Sequence, residues 1–511
     1  MFCTVFSASM QGLQAAMVRI EADISEGLPS FQLVGYLSSE VKEAGERVRT
    51  AIRNSGFHLP AKRIVVNLSP ANIRKRGTIF DLGISIAILA VLNQLEERKL
   101  EGTLFAGELS LDGSIKRASG ILSIVMEAKK QGCKRCIIPR ENRREGELVE
   151  GIEVLAVSNL KEAYEIINGV RSYEREYEEP RVNKKQAEQM PDFADIKGQR
   201  AVKRAVEIAV AGSHNMLMIG KYGAGKTAIA KRIPTILPPL TLEESLQLTE
   251  IYSSIGEVDD TFPLMSVRPF REVNATVTKS TLLGGGVYPK PGEISLAHKG
   301  VLFLDETAEF PRHVLESLRR PLEDRMIRIV RERGEFEFPA DFLLVAAMNP
   351  CPCGHYPDLN KCNCTTSQIQ KYLGRLSQPF LDRIDICVEV EKVQYTDLTN
   401  AEKGETSKEI RERVLCTRKI QAERYRKLNI TTNAQLGMTE MDEYCALNSE
   451  QKKMMEQAYE QLELSARSYH KVLSVARTIA DMEESEQIKD RHLREALGYR
   501  VITRKYRRGL L

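Results

Sequence analysis

Residues 220–227 read GKYGAGKT and directly follow a short apolar run, residues 216–219 (MLMI). The octapeptide has the spacing G-x-x-x-x-G-K-[ST], in which glycines let backbone N–H groups turn towards a phosphate. A helix that begins after such a loop adds the positive end of its dipole. We therefore expect Lys226 to reach the β- and γ-phosphates of a nucleotide and Thr227 to bind Mg²⁺. The nucleotide-binding residues predicted from this motif are Gly220, Gly223, Ala224, Gly225, Lys226 and Thr227.

A second apolar run, residues 300–304 (GVLFL), ends in two carboxylates, Asp305 and Glu306. If both runs are parallel strands, their carboxyl ends meet at the edge of the sheet where ligands bind. Asp305 is then placed to hold Mg²⁺ through water, and Glu306 to orient and deprotonate an attacking water. The predicted cofactors are ATP and Mg²⁺.

Two further polar residues leave alternatives open. The run 342–347 leads to Asn349, which either forms a turn before proline or holds the γ-phosphate or the attacking water. Arg383 stands between Asp382 and Asp385, either as a surface ion pair or as an arginine supplied to the ATP of a neighbouring subunit. Such an arginine raises the rate about 10³–10⁵-fold. Spacing alone does not decide either case.

Composition sets the broad class of the protein. The chain has 511 residues, a formal net charge of +4 and 42% hydrophobic residues, which does not indicate a strongly basic nucleic-acid-binding protein. The N-terminus lacks a signal-peptide pattern. The longest apolar run, residues 82–92, is shorter than the ~20 residues of a membrane span. We expect a cytoplasmic protein with no membrane partner.

The chain divides into three blocks and a linker. Residues 1–168 alternate strand-like and helical stretches, which indicates an α+β or α/β domain, and residues 169–190 form a charged linker. In residues 191–395, helices alternate with short β-rich runs, which predicts an α/β fold with a parallel sheet and helices on both faces. Residues 396–511 are charged and helical.

Four of the ten cysteines, Cys351, Cys353, Cys362 and Cys364, form two Cys-x-Cys pairs. In a reducing compartment such a cluster indicates metal before disulfide. Four thiolates close a tetrahedral Zn²⁺ site with no open position, hence a structural one. The alternatives are four reduced thiols, or His355 in place of one cysteine.

These motifs, in this order, resemble the ComM/YifB family of magnesium-chelatase-like AAA+ ATPases over nearly the whole chain. The segments that carry the resemblance are FADIKGQRAVKRAVEIA (193–209), GAGKT (223–227), PGEISLAHKGVLFLDE (291–306), AAMNPCPCG (346–354), LDRIDI (381–386) and SARSYHKVLSVARTIAD (465–481). The resemblance implies an AAA+ P-loop NTPase core with a helical lid, assembled as a homo-hexameric ring. The family's namesake is a DNA helicase that drives branch migration, so single-stranded or branched DNA is the implied partner, with no small-molecule substrate besides ATP.

The resemblance also implies roles for individual residues. Asn349 is similar to the sensor 1 residue, and Arg383 to the arginine finger that acts on the neighbouring subunit. Arg467 resembles the sensor 2 arginine that reaches ATP from the helical lid. Ile196 and Gly198 stand where such proteins contact adenine.

The chain departs from the family pattern in two places. Residues 220–223 read GKYG where the family has Gly-Pro-Pro-Gly, and only the variable positions differ. Residues 268–275 read RPFREVNA where the family has paired histidines. We expect this second segment where relatives insert a loop into the second helix, so its change bears on the substrate and not on ATP hydrolysis. Remodelling of a protein partner is therefore the alternative function.

Two segments are candidates for DNA contact in the pore of a ring. One is Val273–Lys290, which contains three consecutive glycines, and the other is Arg328–Phe336, which resembles the hairpin before sensor 1. Arginines of the second segment are expected to contact phosphates. The alternative is an ordinary charged hairpin, because glutamates offset the arginines.

Residues 1–165 resemble the Lon protease-like (ribosomal-protein-type) α+β fold, and residues 31–52 and 63–89 carry the match. Lon-type proteolysis needs a serine nucleophile and an activating lysine. Residues 75–81 and 119–124 do not supply them in the expected places. We expect this block to act as a scaffold or in DNA handling, not as a protease.

Overall fold

A computed structural model describes residues 2–173, 190–331, 334–358, 360–393 and 404–507, with side chains up to residue 502 in the last range. Most of the predicted linker 169–190 and the start of the third block therefore lie outside the described residues. No helix in the described ranges has the length and apolar character needed to cross a membrane.

The first block is built around one mixed sheet with helices packed against it. Its strands are β1 (Phe2–Gln11), β2 (Gln14–Ser25), β3 (Ser30–Gly35), β4 (Arg63–Ser69), β5 (Thr103–Phe105), β6 (Glu108–Leu109), β7 (Ile115–Lys116), β8 (Arg135–Pro139) and β9 (Glu153–Val157). Its helices are α1 (Ser39–Lys42), α2 (Ala44–Asn54), α3 (Asp81–Val91), α4 (Ile121–Lys130), α5 (Arg143–Gly146) and α6 (Leu160–Asn168), with 3₁₀ turns at Glu97–Leu100 and Arg140–Asn142. Every residue of α3 is buried, which explains the long apolar run that the sequence carries there.

The sheet of the first block has the strand order β3-β4-β2-β1-β5-β8-β9. Strand β2 runs antiparallel to both β1 and β4, and the other neighbouring pairs are parallel. This block docks on the second block, because Gly120 N donates to Ser253 O at 2.9 Å and Leu13 lies in the hydrophobic core of the second block.

The second block is an α/β domain. Its strands are β10 (Met216–Gly220), β11 (Phe270–Val273), β12 (Gly284–Gly285), β13 (Lys290–Pro291), β14 (Val301–Leu304), β15 (Met326–Arg331), β16 (Gly334–Pro339), β17 (Leu343–Met348) and β18 (Ile386–Val390). Its helices are α7 (Arg200–Gly212), α8 (Lys226–Ala230), α9 (Ile233–Ile236), α10 (Leu242–Ser254), α11 (Lys279–Leu283), α12 (Glu293–Leu296), α13 (Arg312–Ser317), α14 (Arg319–Asp324), α15 (Thr366–Leu373) and α16 (Gln378–Leu381), with 3₁₀ turns at Phe193–Asp195 and Thr307–Glu309.

The central sheet has the order β11-β14-β17-β10-β18, and all neighbouring strands are parallel. Both faces are covered, so its inner strands read as continuous apolar runs. Met216 and Met218 face a core shared with α7 and the C-terminal helices, whereas Leu217 and Ile219 face a core that includes α10 and α13. The predicted parallel sheet with helices on both faces is confirmed.

The described part of the third block is helical. Its helices are α17 (Ser407–Arg424), α18 (Met438–Tyr444), α19 (Ser449–Gln461), α20 (Ala466–Met482) and α21 (Asp490–Arg507), with a 3₁₀ turn at Asn433–Gln435. Helices α17 and α20 pack against α7, so this block covers one face of the central sheet.

Asp385 joins the third block to the amino edge of the sheet, the edge at which its strands begin. Its carboxylate accepts a hydrogen bond from Asn215 N at 2.9 Å and pairs with Lys471 of α20 at 2.9 Å and with His214 at 3.6 Å. Burial raises the pKa of this carboxyl group, but the opposing effect of Lys471 and His214 is larger. The pKa therefore lies well below its usual range. The folded state therefore holds Asp385 as a buried carboxylate.

We expect Asp385→Ala to destabilise the second and third blocks by about 2–4 kcal/mol, because the substitution leaves the partly buried Lys471 without its counter-ion and Asn215 N without its acceptor. Calorimetric melting of the whole chain measures the effect. The depressed pKa means that the wild-type contribution is present above pH ~4 and is lost as the pH falls further. The control is Glu26→Ala, which removes an exposed partner of Lys62 and should change stability by less than about 1 kcal/mol. An equal effect of both substitutions would contradict the assigned role of Asp385.

Candidate nucleotide-binding site

The GKYGAGKT loop connects the end of β10 to the start of α8. Gly223 and Gly225 have φ angles of +72° and +90°, in the left-handed region that favours glycine. Lys226, the first residue of α8, turns back over the loop. Its Nζ donates to Gly220 O at 2.7 Å, to Lys221 O at 3.2 Å and to Asn349 Oδ1 at 3.0 Å.

The ammonium group of Lys226 lies in a low-dielectric position, with the residue 9% exposed. Burial lowers its pKa, and the carboxylates of Asp305 and Glu306 oppose that shift. A buried ammonium that already faces a loop of backbone groups is suited to bind phosphate oxygens, because charge-assisted hydrogen bonds are strong where water is excluded.

Two oxygen ligands for a divalent cation meet beside Lys226. Thr227 Oγ1 donates to Asp305 Oδ2 at 2.9 Å, which joins the start of α8 to the end of β14. A hydroxyl and a carboxylate at this distance fit Mg²⁺, which takes oxygen ligands from few protein groups and keeps several waters.

Glu306 follows Asp305 with a φ angle of +50°, an uncommon conformation for a residue with a side chain. Its backbone N–H donates to Asp305 Oδ1 at 2.9 Å. This local strain is of the kind found at functional sites. Glu306 lines a cavity of ≈ 310 Å³ at the carboxyl edge of the sheet, the edge at which the strands end. The other lining residues are Tyr222, Gly223, Ala224, Gly225, Lys226, Thr227, Ala228, Asp305, Met348 and Asn349.

The structure places Asn349 in this cluster, directly after β17. The residue is 4% exposed, and its amide oxygen accepts from Lys226. A turn former without a function would not need to direct its side chain at the P-loop lysine. The geometry therefore favours the phosphate- or water-contacting alternative for Asn349.

Arg383 and Arg467 lie elsewhere, and they share one carboxylate. Arg383 Nη2 donates to Glu323 Oε1 at 2.7 Å, and Arg467 Nη2 pairs with the same oxygen at 2.7 Å. Arg383 is buried and also donates to the carbonyl of Arg319 at 3.2 Å. Arg383 thus forms an ion pair in which the arginine is buried and the carboxylate of Glu323 is half-exposed.

The structure does not bring Arg467 to the P-loop of its own chain. Helix α20, which carries Arg467, is held at the amino edge of the sheet by Lys471 on Asp385 and by Ser468 on Asp382. The P-loop lies at the carboxyl edge, across the five residues of β10. At ~3.3 Å per residue this separates the two edges by about 16 Å.

The segment that contains Ile196 and Gly198 lies beside the P-loop. Gly198 has a φ angle of +63°, Ile196 is half-buried, and the next residue, Gln199, connects the segment to the loop. Gln199 Nε2 donates to Ala224 O at 3.1 Å and to Glu391 O at 2.6 Å. Sequence reasoning missed Gln199, because no spacing rule connects it to the P-loop.

The sequence predicts that the segment 268–275 lies at an inserted loop, but the structure places it elsewhere. Residues 270–273 form β11, which pairs with β14 at the edge of the central sheet. Residues 284–291 form a separate ribbon, β12–β13, between α11 and α12. Residues 274–275, where the family pattern has histidines, therefore precede this ribbon.

The hairpin predicted within 328–336 is present as β15 and β16. Arg328 pairs with Glu337 at 2.9 Å, and Arg331 Nε donates to Gly286 O at 3.3 Å. This hydrogen bond connects the hairpin to the β12–β13 ribbon. Glu332 and Arg333 lie outside the described residues.

The structure also brings Cys351, Cys353, Cys362 and Cys364 together, with all four sulfur atoms within 4.8 Å of one another. The cluster lies two residues after Asn349 in the chain.

Three family profiles match the chain. Residues 192–398 match the family described as magnesium chelatase, subunit ChlI, residues 20–142 match subunit ChlI of Mg-chelatase, and residues 404–500 match the ChlI C-terminal domain. The first match contains every P-loop residue described above.

Full-length relatives are also similar to this chain. Competence protein ComM of Haemophilus influenzae is 42% identical over 504 residues, which cover 98% of this chain and 97% of that protein. The proteins named YifB of Salmonella typhimurium and Escherichia coli are each 40% identical over 501 residues, with the same coverage.

We expect Lys226→Ala to weaken the binding of a fluorescent ATP analogue about 10- to 100-fold, because one or more charge-assisted hydrogen bonds to phosphate are lost. Fluorescence titration measures the dissociation constant. The control is Lys231→Ala, which removes a half-exposed lysine paired with Glu272 outside the cavity. Wild-type affinity in Lys226→Ala would show that the cavity is not the nucleotide site.

Proposed function

Because the chain belongs to the ComM/YifB family of magnesium-chelatase-like proteins, we propose that it is a Mg²⁺-dependent ATPase that moves along single-stranded or branched DNA and drives branch migration. The observation that carries the ATPase part is the convergence of Lys226, Thr227, Asp305, Glu306 and Asn349 at one edge of the central sheet.

Each residue of this cluster has a proposed role in hydrolysis. Thr227 and Asp305 hold Mg²⁺, which neutralises charge on the phosphates when bound. Lys226 binds the β- and γ-phosphates. Glu306 orients the attacking water and accepts its proton, and Asn349 positions that water or the γ-phosphate. Ile196 and Gly198 contact adenine.

We propose that Arg383 and Arg467 act on the ATP of a neighbouring subunit in a homo-hexameric ring. Both lie near the amino edge, whereas the P-loop of their own chain lies at the carboxyl edge, and a strand of about 16 Å separates the two edges. Both are held by Glu323, and a carboxylate is a natural substitute for a phosphate as the partner of a guanidinium group. The shared placement supports a role in trans for Arg467 as well as for Arg383.

DNA contact is assigned to the β15–β16 hairpin and the β12–β13 ribbon. The hydrogen bond between Arg331 and Gly286 joins these two candidate segments into one surface. Six copies around a pore multiply the charge of Arg328 and Arg331, although Glu337 offsets part of it. The first block, residues 1–168, is proposed as a Lon-like scaffold without a catalytic serine and lysine.

The second candidate is an ATPase that remodels a protein partner. The observation that favours it is the exposed hairpin, in which Glu335 and Glu337 balance arginines and Val330 is 68% exposed. A surface with balanced charges and an exposed apolar side chain suits a polypeptide as well as a phosphate backbone.

We expect single-stranded or four-way-junction DNA to raise the ATP turnover of the wild-type chain several-fold. Glu306→Gln should retain nucleotide binding but lose at least about 10²-fold in kcat, because the proton acceptor is removed. A coupled phosphate-release assay measures both effects. Robust turnover that ignores DNA would eliminate the DNA motor and favour the protein remodeller.

The proposed action in trans is tested by mixing variants. Lys226→Ala and Arg383→Ala should each be inactive alone, because one lacks the phosphate ligand and the other the arginine of the neighbour. In mixed rings, an intact P-loop meets an intact Arg383 at some interfaces, so part of the activity should return. The same experiment with Arg467→Ala tests the second arginine. If no mixture regains activity although both variants assemble, these arginines do not act between subunits.

A further inference from the structure

The cysteine cluster has the dimensions of a zinc site. Sulfur–sulfur distances are 3.4 Å for Cys351–Cys353, 3.8 Å for Cys351–Cys362 and 3.5 Å for Cys353–Cys362. Four sulfur atoms at 2.3 Å from a tetrahedral Zn²⁺ are about 3.8 Å apart. The observed distances are therefore close to those of four thiolates around one zinc ion.

The surroundings of the cluster support thiolates. Cys351 is fully buried, and its sulfur accepts a hydrogen bond from Tyr356 N at 3.4 Å. The set of converging ligand atoms found in the described part of the chain consists of the four cysteines, so His355 is not needed to complete it. Four sulfur ligands leave no open position, which indicates a structural and not a catalytic metal.

The cysteine loop is attached to the nucleotide site from two sides. At its start, Cys351 follows Asn349 by two residues, and Asn349 accepts from the P-loop lysine. Further along, Gly354 packs against the ring of Tyr222, which lies in the P-loop. A Cβ atom on Gly354 would lie 2.5 Å from Tyr222 Cδ2, and the φ angle of Gly354 is +76°.

A charge contact adds to this packing, because Lys221 Nζ lies 3.8 Å from Asp358 Oδ2. Lys221 and Tyr222 are the two positions at which the P-loop departs from the family pattern. In this chain, both residues contact the cysteine loop.

We propose that Cys351, Cys353, Cys362 and Cys364 bind one Zn²⁺, and that the closed loop braces the P-loop and Asn349 against each other. The metal fixes the positions of Gly354 and Asp358, and these hold Tyr222 and Lys221. The kinetic consequence of the brace rests on the proposed ATPase function, whereas metal binding and loop order do not.

The metal is tested by elemental analysis of the full-length protein purified without added metal. We expect about one zinc per chain, released on treatment with a thiol reagent and detected with a zinc-binding dye. Cys353→Ser/Cys362→Ser should lose this zinc, and Cys416→Ser, at an exposed cysteine outside the cluster, should keep it. Absence of stoichiometric zinc, or iron with acid-labile sulfide in its place, would overturn the proposal.

The brace is tested by hydrogen exchange and by Gly354→Ala. Loss of zinc should speed amide exchange in residues 220–225 and 349–354, while distant strands such as β1 and β2 keep wild-type protection. Gly354→Ala should keep the zinc but raise exchange in the P-loop, since its Cβ displaces Tyr222. Unchanged P-loop exchange in both variants would show that the metal site and the P-loop are independent.

If the ATPase proposal holds, both variants should also lose about 10- to 100-fold in kcat, because displacements near 1 Å at a catalytic site have effects of this size. A wild-type chain that binds zinc and shows the expected exchange pattern but does not hydrolyse ATP would contradict the proposed function and leave the brace intact. Wild-type kcat in a zinc-free variant would contradict the brace.

Discussion

The uniform direction of the five strands in the central sheet is the constraint on which the rest of the site depends. Because β10, β14 and β17 are parallel, the P-loop, Asp305 and Asn349 emerge at one edge. The same constraint places the residues that precede the strands, such as Asn215 and Asp385, at the opposite edge. This topology places the P-loop, Asp305 and Asn349 at the edge of the sheet opposite to Arg383 and Arg467.

The parts of this arrangement that depend on local pattern were predictable. Continuous apolar runs gave the inner strands, since residues covered on both faces show no alternation. The glycine spacing predicted a phosphate-binding loop. The dense cysteine spacing predicted a cluster, and the four sulfur atoms lie together in the structure. The positions of Asn349 and Asp305, each just after the end of a strand, followed from the parallel pairing of those strands alone.

The parts that depend on packing were not predictable from local pattern. Arg467 lies on a helix held by the contact of Lys471 with Asp385, and Asp385 lies far from this helix in the sequence. Gln199 reaches the P-loop from the N-cap position of α7, where it adopts a left-handed conformation itself. Residues 270–273 form an edge strand whose partner, β14, lies about thirty positions away in sequence, and its mixed charged and apolar residues resemble a loop.

Glu323 affects the charge of a subunit that is not bound to a neighbour. Its single carboxylate pairs with both Arg383 and Arg467, so it offsets one of their two positive charges within the same chain. Under the proposed action between subunits, a triphosphate on the neighbour would have to replace Glu323 as the partner of these arginines. Association between subunits and occupancy of the nucleotide site would then be thermodynamically linked, so that each favours the other.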